Sequence, residues 1–248
     1  MFNNERYKAI SEYLKNNQRA KVKELADMLF VSPATIRRDL VEMQKLGMLE
    51  RSHGGAIYTE NANEVSIFIR LEKNAKEKKH TASIALGNIP DFQTLFIDNS
   101  STCLALAERM NLAYKTIVTN GLQIATKLSQ KKNVTLIMPG GEVQFNTNTV
   151  SGSVTCTMLK KFKFDLMLSS CAAISGGATY EQTLDTTLIK QIAFEQSKLR
   201  YLIADRTKFS LTAPYQTAEL NSYDAVISNI DDATAQTIRS QGVNIINR

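Results

Sequence analysis

Residues 31–40 read VSPATIRRDL, and this pattern predicts a short helix that buries one face. Ser32 is of a residue type that caps helix N-termini, and Pro33 suits the first helical position because an N–H there lacks a helical partner anyway. Apolar residues then recur at the helical spacing i, i+4 and i+7, as Ile36, Leu40 and Met43. The segment therefore predicts a helix with one apolar stripe.

The remaining surface of this helix is polar and basic. Thr35, Arg37 and Arg38 lie off the apolar stripe, near the helix N-terminus. Arginines bind guanine edges or phosphates in a DNA major groove, and the N-terminal turn of such a helix comes nearest the bases. Adjacent arginines are also common on solvated helices. The segment by itself leaves two interpretations open, a DNA-reading helix and an ordinary surface helix.

Two helical patterns precede this segment. Apolar residues at helical spacing predict helices over 4–15 and 22–29, separated by a polar, turn-like stretch at 16–20. The second of these helices is joined tightly to the one that begins at Pro33, and such a pair forms a helix-turn-helix.

A hairpin is predicted after the third helix, which we expect to end at Gly47. Short strands at 48–51 and 56–59 flank a glycine-containing turn at 52–55. The alternative is a plain hairpin whose glycines only form the turn. The basic third helix before it favours a wing whose side chains reach phosphate or a minor groove. The residues assigned to the predicted DNA-binding surface are Ser32, Thr35, Arg37, Arg38, Arg51, His53 and Gly54.

The composition is typical of a globular protein with an excess of basic residues. The chain has 248 residues, is 43% hydrophobic and carries a formal net charge of +6, which permits a polyanionic partner without requiring one. Its three cysteines are scattered, so we expect no disulfide, no metal site and a cytoplasmic protein. We expect no membrane association, since no apolar run has the length of a signal peptide core or a membrane span.

The length suits two domains, one small and one medium. We expect a winged helix-turn-helix domain over 1–59, a polar linker and charged connector helix over 60–80, and a larger α/β domain over 81–248.

After Pro90, short apolar strands alternate with helical stretches. The predicted strands are 94–98, 116–119, 134–138, 164–169, 200–204, 224–228 and 243–246. The predicted helices are 102–110, 122–129, 150–161, 184–197 and 233–241. This alternation predicts a mostly parallel sheet with helices on both faces. Ligands bind such sheets at the carboxyl ends of the strands, so the turns there are candidate sites.

Several of these turns are rich in hydroxyls or glycine. Residues 98–102 follow a strand and open a helix, which suits a phosphate, although hydroxyl-rich caps are also common without a ligand. Other such turns contain Asn120, the pair Gly140 and Gly141, and the pair Asp205 and Lys208. Together at one sheet edge they predict a polar pocket with phosphate and sugar-hydroxyl character.

The N-terminal motifs also carry a resemblance. Residues 32–40, 47–49 and 51–56 resemble the N-terminal signature of the DeoR family of bacterial transcription regulators. The resemblance implies a winged helix-turn-helix that binds operator DNA, usually to repress genes of carbohydrate metabolism.

The resemblance extends over the C-terminal turns. It implies a sensor domain related in fold to ribose-5-phosphate isomerase that binds a phosphorylated sugar or sugar derivative, with no cofactor. The effector residues that it implies are Asp98, Ser100, Ser101, Thr102, Asn120, Gly140, Gly141, Asp205 and Lys208. The chain departs from the family pattern because serine replaces glycine at 100, the stretch 169–171 reads Ser-Ser-Cys, and Ser175 stands where an acid is often found.

We therefore predict an operator-binding repressor, a homodimer or homotetramer, that a phosphorylated sugar releases from DNA. One alternative is a sugar-phosphate isomerase-like enzyme with a DNA-binding appendage. It is disfavoured because the 169–173 block offers no acid or base except the Cys171 thiol, and the two histidines are assigned to the wing and the connector. A second alternative is a regulator whose pocket is degenerate and whose C-terminal domain only oligomerises.

Overall fold

The computed structural model describes residues 3–45, 48–58 and 67–248. The predicted helix end at Gly47 and the predicted polar linker 60–65 lie outside this range. The chain divides into a first unit of residues 1–72 with 145–147, and a second unit of residues 73–144 with 148–248. Each unit is considered by itself.

The three predicted N-terminal helices are present as α1 (Asn3–Asn17), α2 (Val22–Leu29) and α3 (Pro33–Lys45). Ser32 caps α3 as predicted, since its Oγ accepts a hydrogen bond of 3.1 Å from the Thr35 N–H. The predicted stripe on α3 is fully buried, together with Ile10, Leu14 and Leu25 from the other two helices. Burial of this stripe fixes which face of α3 remains at the surface.

The predicted hairpin is formed by β2 (Glu50–Ser52) and β3 (Gly55–Ile57), which are antiparallel. The prediction of a turn over 16–20 was wrong at its end, because Arg19–Lys21 is a strand, β1, that pairs with the other edge of β3. This close pairing requires glycine at 55, where a Cβ would lie 2.0 Å from the Ala20 carbonyl oxygen. A strand of three residues with only Ala20 buried has no apolar alternation by which to predict it.

The predicted connector is two helices rather than one. Helix α4 (Ile67–Glu72) closes the first unit along the chain, and α5 (Ala75–Leu86) opens the second. Asn74 separates them with a left-handed backbone, at φ +56°. A continuous helix was the wrong expectation because the charged sequence contains no proline or glycine to mark this break.

A seven-stranded sheet forms the centre of the second unit, and all of its neighbouring strands are parallel. All seven predicted strands are present. In sheet order they are β15 (Ile245–Ile246), β14 (Ala225–Ile227), β12 (Ser197–Ile203), β9 (Phe164–Ser169), β4 (Thr94–Ile97), β5 (Thr116–Thr119) and β6 (Thr135–Ile137). The prediction of a mostly parallel sheet is thus confirmed.

Five further helices of the second unit are α6 (Ser101–Ala107), α7 (Leu122–Leu128), α8 (Ser153–Leu159), α9 (Leu184–Glu195) and α10 (Asp232–Arg239). Short 3-10 helices span Arg206–Ser210 and Leu220–Ser222. Within the described ranges, no helix is long and apolar enough to cross a membrane.

Two small antiparallel assemblies were not predicted. One is the hairpin of β7 (Glu142–Gln144) and β8 (Thr149–Ser151), and the other is a sheet of β10 (Ala173–Ser175), β11 (Ala178–Glu181) and β13 (Tyr215–Glu219). The predicted helix 150–161 was therefore wrong at its start, where Val150 and Ser151 belong to β8. Gly152, at φ +93°, separates β8 from α8.

Candidate functional site

Helix α3 presents the predicted basic residues on its open side. Arg37 and Arg38 are exposed, and within the described parts of the chain neither forms an ion pair. The Thr35 hydroxyl lies 2.9 Å from Ser32 Oγ, so these two residues form one polar unit at the helix N-terminus. The surface thus offers two unpaired guanidinium groups and a hydroxyl beside a helix N-terminus, a donor set suited to phosphates and base edges.

A buried ion pair that was not predicted holds α3 in place. Arg6 on α1 donates from Nε to Asp39 Oδ2 over 2.8 Å and from Nη2 to Asp39 Oδ1 over 2.9 Å. The hydrogen bond to Asp39 raises the pKa of Arg6. A charged residue next to the apolar stripe, three positions after Ile36, was the only sequence signal. The ion pair therefore helps to fix the orientation of α3 and of the exposed arginines on it.

The wing is attached to both helices of the motif. The Arg51 N–H donates to Gln44 Oε1 of α3 over 3.3 Å, and the Gly54 carbonyl accepts from the Val22 N–H of α2 over 2.9 Å. Arg51 and His53 are exposed, and Gly54 has φ +84°. All seven predicted DNA-contact residues therefore belong to the same unit, on α3 or the wing beside it.

The second unit brings several predicted effector residues to one sheet edge. Asp98 follows β4 and is almost fully buried. Its Oδ1 accepts from the Ser100 N–H over 2.9 Å, and its Oδ2 accepts from the Ser170 N–H over 2.9 Å. Lys190 Nζ lies 2.9 Å from Oδ2. The carboxylate is therefore bound on all sides by the protein, so its predicted contact with an effector stays a prediction.

Lys190 and Glu181 are site residues that the sequence interpretation missed. Lys190 on α9 also donates to Glu181 Oε1 over 2.5 Å and to the Ser170 carbonyl over 2.6 Å. Burial opposes a charge on Lys190, but the carboxylates of Asp98 and Glu181 outweigh it and raise its pKa. Burial likewise opposes the Asp98 charge, and Lys190 overcomes it and lowers the Asp98 pKa. Three buried charges thus join β4, β9, β11 and α9.

The hydroxyl-rich turn after Asp98 is an N-terminal cap. Ser100 Oγ accepts from the Cys103 N–H over 3.1 Å, while Ser101 and Thr102 are buried in the first turn of α6. Gly121, the residue after Asn120 and β5, lies against this turn, because a Cβ on Gly121 would come within 2.8 Å of Asn99 Cα. The structure therefore brings the turns after β4 and β5 together.

Asp205 and Lys208 lie after β12 on the same edge. Asp205 is fully buried, and its Oδ1 accepts from both the N–H and the hydroxyl of Thr207. Lys208 is half-exposed and, among the described residues, forms no ion pair. Cys171, after β9, is influenced electrostatically both by Lys208 of this turn and by Glu181 of the buried charges. Burial and the Glu181 charge outweigh Lys208 and raise the pKa of Cys171 to about 12.

The contacts of Gly140 and Gly141 are with a different part of the second unit. The Gly140 carbonyl accepts from Thr155 Oγ1 over 2.8 Å, and a Cβ on Gly141 would meet Thr155 Oγ1 at 2.2 Å. These glycines pack against the start of α8, and no described contact joins them to Asp205 or Lys208. Their predicted effector role stays a prediction.

Buried polar atoms without a hydrogen-bond partner mark the same sheet edge. Among the described residues, five such atoms follow β4, β5, β9, β12 and β14, and they are Asn99 Nδ2, Asn120 Oδ1, Ser170 Oγ, Asp205 Oδ2 and Ser228 Oγ. Others lie away from this edge, among them Ser11 Oγ, Gln196 Oε1 and Thr217 Oγ1. Unpaired buried polar groups are rare and destabilising in proteins. Their concentration at the carboxyl ends of parallel strands indicates a site for hydroxylated ligands or water.

Other features of the second unit bear on its chemistry. Within the described residues, no group of His, Cys, Asp and Glu side chains could hold a metal ion. A cavity of about 370 Å³ lies beside the turn after β12 and is lined by Arg206, Phe209, Ser210, Asn229, Ile230, Asp231 and Thr234.

Comparisons with known proteins cover most of the chain. The DeoR-like helix-turn-helix domain family matches residues 6–62, and the DeoR C terminal sensor domain family matches residues 73–230. The lactose phosphotransferase system repressor of Staphylococcus aureus (strain N315) is 31% identical over 94% of this chain and 94% of its own. The HTH-type transcriptional regulator GolR of Listeria innocua is 33% identical over 88% of each chain. Among solved structures, ribose 5-phosphate isomerase A from Methanocaldococcus jannaschii is 11% identical and covers 55% of each chain with a TM-score of 0.39.

Proposed function

The chain belongs to the DeoR family of transcriptional regulators, and we propose that it is a repressor that binds operator DNA through α3 and the β2–β3 wing. The observation that carries this proposal is the pair of exposed, unpaired arginines, Arg37 and Arg38, on a helix whose opposite face is sealed into the core. We assign this activity to residues 1–59. The relative named as a lactose phosphotransferase system repressor supports genes of carbohydrate metabolism as the targets.

We propose that α3 enters a major groove. Thr35, Arg37 and Arg38 then reach base edges or flanking phosphates, while Arg51 and His53 of the wing contact phosphate or the minor groove. A homodimer or homotetramer would present two such helices to half-sites about 34 Å apart, or a multiple of that distance. Because a regulator of this kind binds chromosomal DNA, we propose that it is located in the cytoplasm.

The proposed effector is a phosphorylated sugar bound at the carboxyl edge of the seven-stranded sheet. Lys208 is the cation available to a phosphate there, and the unpartnered atoms of Asn99, Asn120 and Ser170 suit sugar hydroxyls. To act as a switch, the effector must bind the DNA-free state more tightly than the DNA-bound state.

We propose regulation rather than catalysis for this edge. A general base needs a carboxylate that can approach the substrate proton. Asp98 and Glu181 are both paired with Lys190 instead. Among the described residues Asp205 Oδ2 has no partner, but the Asp205 side chain is fully buried.

The test is selection of binding sequences from a random DNA library with the full-length protein, followed by titration with sugar phosphates. We expect selection of a sequence with two related half-sites, and its release by at least one of glucose 6-phosphate, fructose 1-phosphate, fructose 6-phosphate or ribose 5-phosphate. Failure to enrich any sequence would refute the DNA-binding proposal. A protein that binds the selected DNA but no sugar phosphate would have a degenerate pocket, and conversion of a sugar phosphate would indicate an enzyme.

A further inference from the structure

The turn after β12 carries two sets of side chains with different neighbours. Asp205 is the extended N-cap of the 3-10 helix Arg206–Ser210, and Lys208 lies three positions after it. Arg206 and Thr207 lie between them along the chain. Both contact the start of helix α5 or its immediate neighbours.

The first contact involves the carboxylate of Glu77 on α5. Its Oε1 accepts from Arg206 Nη2 over 3.0 Å, and its Oε2 accepts from Asn229 Nδ2 over 2.5 Å. The Asn229 side chain in turn accepts from the Arg206 N–H over 2.8 Å. These three residues close a ring of hydrogen bonds that joins α5 to the ends of β12 and β14.

The second contact involves Asn74, the residue before α5. Its side chain does not cap the helix, although asparagine is a favoured capping residue. It donates instead to Thr207 Oγ1 over 3.1 Å, and that hydroxyl donates to Asp205 Oδ1. The Asn74 side chain thus forms a long-range hydrogen bond rather than a local helix cap. The Asn74 backbone is left-handed, at φ +56°, a conformation that is strained for a residue other than glycine.

We propose that Asn74 and Glu77 are positioning residues that couple the turn after β12 to the connector helix α5. This inference rests on the proposed function, because it concerns how an effector at Asp205 and Lys208 would control operator affinity. A ligand that draws these two side chains toward itself displaces Arg206 and Thr207 on the same turn, and the N-terminal end of α5 loses both contacts, while its buried residues Ala82 and Ala85 stay packed. Helix α5 follows directly, along the chain, on the unit that carries α3.

The cavity of about 370 Å³ adjoins the Glu77 ring, because Arg206 and Asn229 both line it, although Asp205 and Lys208 do not. A ligand portion that enters this space touches two of the three residues in the Glu77 ring. Sensing and coupling residues therefore lie within one turn of each other, which requires no long chain of intermediate contacts.

The test needs no identified effector, since removing the contacts of Asn74 and Glu77 with the turn after β12 should imitate the effector-bound state. The full-length variants are N74G, E77A, R206A, N74G/E77A and E77A/R206A. Glycine at 74 adopts a positive φ without strain, so N74G removes the bond to Thr207 and keeps the backbone path. The matched control is S83A on the same helix, which removes a contact to Arg109, 2.6 Å long, that does not involve the turn. Affinity is measured for DNA selected by the wild-type protein and for scrambled DNA.

We expect N74G/E77A to bind the selected DNA at least about fivefold more weakly than wild type, which is the lower range of measured allosteric couplings. The double variant E77A/R206A should lose no more affinity than the weaker-binding single variant, as partners in one interaction do. S83A should match wild type, and binding to scrambled DNA should not change.

Equal affinities of N74G/E77A and S83A for the selected DNA would overturn this inference while leaving the proposed function intact. If no DNA sequence can be selected, both fail. If thermal unfolding shows that E77A is poorly folded, N74G compared with S83A decides the matter, since its substitution leaves the Glu77 ring in place.

Discussion

Arg6 and Asp39 form a two-bond ion pair between α1 and α3, with N···O distances of 2.8 and 2.9 Å, in the buried centre of the helix-turn-helix. Side-chain exposure is 9% for Arg6 and 6% for Asp39, so water does not compete effectively for either charge. The pair fixes the rotation of α3 about its own axis. That rotation determines whether Arg37 and Arg38 point outward.

Replacing Arg6 with alanine should destabilise the full-length protein by about 3 kcal/mol, because it leaves the Asp39 carboxylate buried without its partner. Urea unfolding followed by circular dichroism measures this change. The control is K8A, which removes an exposed pair with Glu12 at 3.9 Å and should cost at most about 0.5 kcal/mol. Equal effects of R6A and K8A would show that the buried pair does not hold α3.

Replacing Lys190 with methionine should destabilise the second unit by about 3–5 kcal/mol. The apolar side chain fills similar space but leaves Asp98 and Glu181 as two buried, like charges. Differential scanning calorimetry of the full chain measures this loss. K161A serves as control, since Lys161 is exposed and, among the described residues, forms no ion pair. A K190M protein as stable as K161A would mean that the buried charges contribute nothing to the fold.

Asp165 should make stability depend on acid pH. Hydrogen bonds from Lys198 and from the Thr94 and Gln93 N–H groups lower its pKa. A carboxyl whose pKa is lower in the folded state stabilises the fold above its unfolded pKa, near 4, and this stabilisation is lost as pH falls through the folded value. We therefore expect D165N to be less stable than wild type at pH 7 and to lose less stability between pH 5 and 2. Urea unfolding at several pH values over this range tests the prediction, with D27N at the exposed Asp27 as the control. Equal losses of stability between pH 5 and 2 in D165N and wild type would contradict it.

Replacing Lys208 with alanine should remove the response to a sugar phosphate without changing operator affinity. The free ammonium supplies the charge for a phosphate, and its loss should weaken phosphosugar binding by at least about tenfold. The measurement is the thermal shift produced by each sugar phosphate, with K160A on the surface of α8 as control. An undiminished shift in K208A would place the phosphate elsewhere.

Apolar patterns were sufficient to predict the parallel sheet. Strands β4, β5 and β9 each contain two or three consecutive apolar residues that are buried on both faces of the sheet, and such runs are visible without any knowledge of the fold. The stripe of Ile36, Leu40 and Met43 identified α3 for the same reason. The strands of the small antiparallel assemblies have three to five residues each, and their buried and exposed residues do not alternate. No periodicity therefore distinguishes these strands from loops.

Charged residues that are buried by long-range pairing could not be predicted in the same way. Asp39 and Lys190 look like ordinary surface residues in the sequence, and only the packed structure brings Arg6 to one and Asp98 to the other. Asn99 and Ser170 lie in turns that the sequence singled out, but neither was assigned as an effector residue, and Ser228, the polar residue after β14, was overlooked. Their importance depends on the neighbouring strands, which the local sequence does not specify.

Specific binding by α3 can be tested most directly by fluorescence anisotropy of the R37A/R38A variant with the selected DNA and with scrambled DNA. Each bidentate arginine contact to a base contributes about 1–3 kcal/mol of discrimination. We predict that R37A/R38A loses at least about tenfold in affinity for the selected DNA and much less for scrambled DNA, while K15A on α1 retains both affinities. Full discrimination between the two DNAs in R37A/R38A would contradict the assignment of α3 as the recognition helix.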